Sequence, residues 1–440
     1  GNGSYSTADS YVKQVWDGRY TGIRMCNQLL ENIDRVPDLD PELKKRYIGE
    51  AKVLRAYNYY ELYTKFGDVP YTTKVLSIKE SMSIARTDRA TVIANMLADL
   101  DEVINGNYLP ASYDADNKGR ITRWAAMAIK AKIYLFEGNW TQVKNITSTI
   151  MTEGGFRLFG SYAGLFEIAN EYNSEVILDA QYRPTSREHQ MMYAFLPPSL
   201  GGYSQLSPLQ ELVDSYIMLD GKTIRETGTS FDESNPYANR DPRLKATVMY
   251  TGNSYTLADG TEVVINCEKG EGKDGYGVGS DCSATGYYIK KYWDNTYRAT
   301  LYSGLNPILI RYADILLMNA EALAELGELD KTAWDATIKP IRDRAGFTLA
   351  SAVEFPEGAS KDKLIEIVRN ERRSELALEG HRHKDIIRWR IADDVLNGWC
   401  HGLKTNEVVG TDNGYVRVEN RAFNANKHYL WPIPQAERDL

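Results

Sequence analysis

A chain of 440 residues with 43% hydrophobic and 25% charged side chains has the composition of a globular protein with a sizeable core. Its net charge of −8 argues against nucleic acid as a partner, and no apolar run reaches the ~18 residues of a membrane-spanning helix. Four cysteines, Cys26, Cys267, Cys282 and Cys400, lack CxxC spacing, which argues against a zinc site.

Helical periodicity fills the chain from about Tyr11 to Glu153. The segments are YVKQVWDGRYTGIRMCNQLLENI, PELKKRYIGEAKVLRAYNYYELYTKF, TDRATVIANMLADLDEVI and TRWAAMAIKAKIYLFEGN. Pro41 suits a first helical turn, Thr87-Asp88 and Thr122 suit N-caps, and Cys26 reads as a buried small hydrophobe. The helix from Glu50 to Phe66 is unusual. At 100° per residue its apolar and tyrosine side chains, Ala51 to Phe66, cover an arc of about 240°, whereas a helix on one face of a core shows a stripe nearer 100°. It must therefore pack on two sides, and its tyrosines read as packing residues with hydroxyls at the edge of the core. Arg55 falls inside the arc and needs a buried partner, Glu50, Asn58, Glu61 and Lys65 share the polar remainder, and Gly67 and Pro70 end the helix.

From Phe156 to Asn306 the composition turns irregular, with EVILDAQY, LKATVMY and GYYIKKYW as short strands or extended loops. Cys267 and Cys282 flank a Gly-rich loop, and spacing leaves a disulfide across it open. Helical periodicity returns from about Pro307 to Ala392, and residues 397–440 read as a second irregular segment. A weak internal repeat links the helical regions: Ala131…Tyr134…Gly138-Asn139-Trp140 has the spacing of Ala320…Leu323…Gly327-Glu328-Leu329. Small residues where helices meet, with glycine ending the first helix of a pair, are the logic of tetratricopeptide-type hairpins. The expected fold is mainly α, a tetratricopeptide-like superhelix built from 11–153 and 307–392 in a single domain, with 156–306 outside it.

The segments LRAYNYYELYTKFGDVP, GRITRWAAMAIKAKIYLFEGNW, IRYADILLMNAEALAELG, IVRNERRSELALEGHRHKDIIRW and YLWPIPQAER occur in this order, and as a set the chain resembles the SusD/RagB family. The resemblance implies an outward-facing lipoprotein of the bacterial outer membrane, non-catalytic, that captures glycans and passes them to a TonB-dependent SusC-like transporter. It also implies that the irregular segment forms the ligand site. The family's lipid-bearing cysteine lies outside this sequence, and relatives usually continue past Leu440 with a short Asn/Pro-rich tail, so anchoring rests on the resemblance alone.

Chemistry in the residues themselves favours binding over catalysis. Glu371, Glu375 and Glu379 recur at every fourth position, with His381 and His383 beyond, a spacing that tempts toward a metal or an acid–base pair. Interleaved Arg369, Arg372, Arg373, Arg382 and Arg388 point instead to ion pairs, which depress carboxylate pKa and spoil a general acid. His189, His401 and His428 lack the context of a nucleophile motif, and GEGKDGYGVG lacks the ending of a phosphate loop. No cofactor is expected, although calcium on the acidic loops stays open. Thirty tyrosines against ten phenylalanines suit surfaces that use an apolar ring and a polar tip together. Trp293, the lone tryptophan of the irregular segment, stands with Asp294 and Asn295 among Tyr288, Tyr292 and Tyr297, the composition of a sugar platform. The opposing reading makes Trp293 a strand core residue. Tyr71, Lys74 and Tyr203 are secondary ligand candidates. The rival functions are a peptide-binding helical scaffold, which needs a basic concave groove, and a glycoside hydrolase, which needs two carboxylates set across a cleft.

Overall fold

Side-chain caps start every long helix of the N-terminal region. In a computed structural model, which describes residues 3–297 and 300–439, these are α1 (Ser10–Asn32), α2 (Pro41–Phe66), α3 (Arg89–Asn105), α4 (Arg123–Phe136) and α5 (Trp140–Glu153). Asp9, Asp40, Asp88, Thr122 and Asn139 each accept a hydrogen bond from a backbone N–H of the first turn. Contacts divide the chain into two compact units. The first comprises residues 1–155, 383–397 and 421–440, and the second 156–382 and 398–420. No described helix is long and apolar enough to cross a membrane.

In the first unit α2 packs between α1 and α3, which accounts for the width of its apolar arc. Tyr59, Tyr60, Tyr63, Leu62 and Phe66 are buried, and the Tyr59 hydroxyl donates to the Thr72 carbonyl at 3.0 Å. Arg55 is buried as its position demands. Its Nε and Nη2 donate to Asp99 at 3.0 and 2.7 Å, and its Nη1 donates to Asn27 at 2.9 Å. Glu61 corrects the helical wheel: it is buried, and it is tolerated there because Lys65 and Lys384 donate to its two oxygens at 2.6 and 2.7 Å. Gly67 closes the helix with φ of +74°, a conformation costly for any residue with a Cβ.

The internal repeat is real in three dimensions. Helices α4 and α5 form a hairpin whose turn carries Gly138 at φ +69°. In the second unit α6 (Tyr312–Leu326) and α7 (Lys331–Ala345) form another, with Gly327 at φ +73°. Both are tetratricopeptide-like hairpins of a mainly helical fold. Helix α8 (Lys361–Glu375) packs on α6.

Strands in the second unit are short. β1 (Val176–Asp179) pairs antiparallel with β6 (Ile308–Arg311), β2 (Val248–Met249) with β5 (Tyr288–Ile289), and β3 (Ser254–Thr256) with β4 (Glu262–Val264). The tail corrects the expectation of irregular chain: β7 (Asn397–Lys404), β8 (Thr411–Asp412) and β9 (Tyr415–Ala422) form a sheet in the order β7-β9-β8. Asn413 and Gly414, at φ +52° and +87°, make the tight turn between β8 and β9. Cys267 and Cys282 are free thiols, the first buried in the core of this unit and the second donating to the Lys273 carbonyl, so no disulfide closes the Gly-rich loop. Helices α6 to α8, expected in one superhelix with the first helical region, fall in the same unit as the irregular segment.

Arg55→Ala removes the hydrogen-bonded cation of half-buried Asp99, leaving it only Lys52 at 3.7 Å, and should destabilise the protein by about 2–4 kcal/mol. Replacing both partners with apolar residues, Arg55→Met with Asp99→Leu, should cost less, because no charge is then left unpaired. Urea denaturation compares the two. An unchanged midpoint for Arg55→Ala would contradict the buried pair.

Candidate functional site

The position of Trp293 begins with a set of buried charges. Glu371 and Glu375 lie one turn apart on α8, and a turn through Leu378 (φ +64°) brings Glu379 back beside them. All three carboxylates are buried. Their cations are not the neighbouring arginines that the sequence suggests. Arg372 pairs with Asp314 at 2.6 Å, Arg369 with Glu325 at 2.9 Å, and Arg388 with Asp385 at 3.0 Å. The glutamates instead take distant partners. Arg243 Nη1 lies 2.7 Å from Glu371 and 2.9 Å from Glu375, and Arg342 Nε donates to Glu371 at 2.8 Å. Arg311 donates to Glu375 at 2.6 Å and to Glu379 at 2.8 and 2.7 Å, while Arg344 completes the set on Glu375. Burial alone would push the Glu375 carboxyl up. The guanidinium groups of Arg344, Arg311 and Arg243 outweigh it together and hold Glu375 below the usual carboxylate range.

Lys291 carries this network to the site. Its buried ammonium donates to Glu379 at 2.7 Å, the Ala377 carbonyl at 2.9 Å and the Tyr162 hydroxyl at 2.9 Å. Burial pulls its pKa down to about 8 against the upward pull of Glu379. Two residues later comes Trp293. Its ring is half-buried, its Nε1 donates to the Thr256 carbonyl at 2.9 Å, and its centroid lies 5.0 Å from Tyr255 and 5.3 Å from Tyr297. The two tyrosines are also tied to backbone: Tyr255 donates to the Ile289 carbonyl at 2.7 Å, and Tyr297 to the Leu200 carbonyl at 3.0 Å. Tyr255 itself is fully buried, so the result is a surface of two partly exposed rings, Trp293 and Tyr297, with the Trp293 ring backed by a buried third and their rotamers fixed.

Tyr297 joins this shelf to the loop that carries Tyr203. That ring is 41% exposed and stacks on Tyr193, with centroids 4.2 Å apart and planes 25° from parallel. Backbone bonds Tyr203 N to Tyr193 O and Leu206 N to Ala194 O hold the loop down. Gly202 permits the close approach, because a Cβ there would stand 2.1 Å from the Leu196 carbonyl oxygen.

Three proposed ligand contacts need correction. Tyr288 and Tyr292 are buried, so their ring faces belong to the core. Asp294 is buried too, and its carboxylate accepts from Thr296 N at 2.9 Å, the Thr296 hydroxyl at 2.6 Å and the Ser303 hydroxyl. It shapes the turn rather than meeting a ligand. Asn295 is exposed, as a rim residue should be. Tyr71 and Lys74 belong to the first unit, where Tyr71 packs on Tyr59 at 4.5 Å and Lys74 is exposed and paired with Glu80 at 2.7 Å. Lys74, Tyr20 and Ile78 line a groove there of about 370 Å³. Sequence reading missed Tyr193 and Tyr255. The alternation of SYT marks Tyr255 as a strand residue, but nothing local signals either ring's partner.

The metal reading of the glutamate row finds no support in this geometry, since its carboxylates are consumed by guanidinium groups. Burial, followed by Lys65 and Lys384, pushes His383 down to about 4. Among the described residues no group of three His, Cys, Asp or Glu is placed to hold a metal.

Comparison with known proteins agrees with the fold. The profile described as SusD family matches residues 165–440, and one described as starch-binding associating with outer membrane matches residues 2–135. SusD-like protein P25 of Formosa agariphila is 28% identical over 410 residues, which cover 88% of this chain and 71% of that protein. The crystal structure of a SusD-like carbohydrate binding protein from Bacteroides fragilis superposes with a TM-score of 0.89 at 29% identity, covering 100% of this chain and 86% of the other. A structure described as a laminarin binding SusD-like protein gives 0.66 at 25% identity, covering 96% and 83%.

The charge network sets an acid limit on stability. Because the folded pKa of Glu375 lies below its unfolded value, its stabilisation is complete above about pH 4.3 and is lost as the pH falls through the folded value. Urea midpoints should decline gently from pH 7 to about 5, because His383, held neutral, resists protonation that the unfolded chain accepts. They should drop more steeply at lower pH as the glutamates protonate. Glu375→Gln should lose about 3–5 kcal/mol at pH 7 and show a shallower acid limb. An acid limb of wild-type slope in that variant would show that Glu375 carries none of it.

Proposed function

Since the chain belongs to the SusD family, we propose that it is a non-catalytic glycan-binding protein of the cell surface, with Trp293 as the platform of its binding site. The observation that carries this reading is the partly exposed Trp293 and Tyr297, with the Trp293 ring seated on the buried ring of Tyr255. A pyranose presents a face of C–H bonds that packs on an aromatic plane, and its hydroxyls need polar groups at the rim. Trp293 supplies the plane, Asn295 the rim, and the bonds of Trp293, Tyr255 and Tyr297 to backbone remove the entropy cost of ordering the rings on binding. The stacked Tyr193–Tyr203 pair offers a second aromatic surface reached through Tyr297.

Relatives support the class of ligand. One solved relative is described as carbohydrate binding and another as laminarin binding. Absence of catalysis is supported by the state of the glutamate row, where each carboxylate is buried, paired with cations and held below the usual carboxylate range, which disqualifies it as a general acid. The family resemblance supplies the remainder of the reading: an outward-facing, lipid-anchored protein of the outer membrane that delivers its glycan to a TonB-dependent SusC-like transporter, with no cofactor.

Trp293→Ala removes stacking of about 1–3 kcal/mol, on the scale of aromatic–base stacking, and should weaken glycan binding by roughly 5- to 150-fold. It should also lower the melting temperature, because the ring is half-buried and hydrogen-bonded. Trp293→Phe keeps a ring and should keep most of the affinity. A glycan array followed by calorimetry on both variants, below their melting temperatures, makes the comparison. Wild-type affinity in folded Trp293→Ala would remove the shelf from the site, and release of reducing ends from the bound glycan would favour a hydrolase instead.

A further inference from the structure

Arginines drawn into this fold take carboxylate or carbonyl partners. Arg55 has Asp99, and Arg120 grips Glu50 with Nε at 2.8 Å and Nη2 at 2.6 Å. Two arginines of the first unit depart from the pattern. Arg46 on α2 and Arg123 at the start of α4 have no carboxylate or carbonyl partner for their side chains among the described residues, and the Nε of each is buried without an acceptor. Aromatic rings occupy their faces instead. The Arg46 guanidinium lies 5.5 Å from the Tyr47 ring and 5.7 Å from the Tyr113 ring, and that of Arg123 lies 4.7 Å from the Trp124 ring. Stacking uses the flat faces of a guanidinium and leaves its in-plane N–H fork unspent.

Both arginines line one cavity of about 580 Å³, within the range of small-ligand sites. Tyr108, Leu109 and Pro110 supply an apolar wall. The cavity also has two acidic residues, Asp40 and Glu42, both exposed. Asp40 already serves as the cap of α2, accepting from Leu43 N at 2.8 Å, and Glu42 makes no ion pair with a described residue. The cavity is distinct from the groove at Lys74. It lies by the first turns of α2, whereas the groove at Lys74 is lined by Asn27 and Thr72, which bond Arg55 and Tyr59 further along that helix.

We propose that this cavity binds an oxyanion carried on a sugar ring, a uronate carboxylate or a sulfate ester. Two unpaired guanidinium forks match the paired oxygens of such a group, and the apolar wall suits the C–H face of the ring. The anion part stands on Arg46 and Arg123 alone; the saccharide part rests on the glycan-binding reading above.

Calorimetry of the full chain against glucuronate, glucose 6-sulfate, glucose and inorganic sulfate at matched ionic strength tests it. At least one of the two acidic sugars should bind, more weakly as salt rises, while glucose should not. Arg46→Gln and Arg123→Gln should each weaken that binding at least tenfold, and Arg46→Lys, which keeps the charge and loses the fork, should recover part of it. Trp293→Ala should leave it unchanged, so that a failed shelf and a failed pocket are told apart. Absence of binding by either acidic sugar to wild type would overturn the proposal without recourse to a variant. Wild-type affinity in folded Gln variants would do the same, and inorganic sulfate binding as tightly as the acidic sugars would overturn its saccharide part.

Discussion

Three buried glutamates hold the second unit together. Glu371, Glu375 and Glu379 lie in a region where an unpaired carboxylate would be expensive, and each is matched by cations from other parts of the chain. Arg243 follows the first irregular stretch, Lys291 precedes Trp293, Arg311 ends β6, and Arg342 and Arg344 close α7. Glu175, next to β1, joins through Arg311 at 2.7 Å and Arg344 at 3.0 Å. Loops with little regular structure cannot fix their own positions through strand ladders. Here a common set of charges fixes them, since displacing any one cation leaves a buried carboxylate short of a partner.

That constraint reaches the candidate site through a short path. Lys291 is pinned by four oxygens, of Glu379, Glu375, Ala377 and Tyr162, and the chain then passes through Tyr292 at φ +63° before presenting Trp293. A left-handed tyrosine is strained, and it persists because the anchor before it and the Trp293 contacts after it both hold. A rigid ring shelf is well suited to capture, because little rotamer entropy remains to be lost on binding. The same electrostatics argue against chemistry in the glutamate row, whose carboxylates are locked in the ionised form.

Local rules made the helical part legible. Caps at Asp88 and Thr122, Pro41 in its first turn, Gly67 at its C-terminus, and the matched glycines 138 and 327 all stand where propensity and spacing place them. Arg55 was legible for the same reason, because a helical wheel reports burial. Glu61 was not, since its burial depends on Lys384, far away in sequence. The site divides along this line. Trp293 was singled out by its isolation in the irregular segment. Burial of Tyr288, Tyr292 and Asp294, and the stacking of Tyr193 on Tyr203, depend on long-range packing that has no period to read. The charge pattern of residues 369–390 announced ion pairs, but its true partners lie up to 323 positions away. The tail strands β8 and β9 had a readable turn in Asp412-Asn413-Gly414 that the polar composition around it obscured.

The most direct test of Trp293 as a sugar platform is a crystal structure of the protein with a bound glycan taken from an array screen. A pyranose ring should lie flat on the exposed face of Trp293, with a hydroxyl within hydrogen-bond distance of Asn295 and with Tyr255 and Tyr297 unmoved. A glycan seated elsewhere, with the Trp293 face bare, would contradict the assignment.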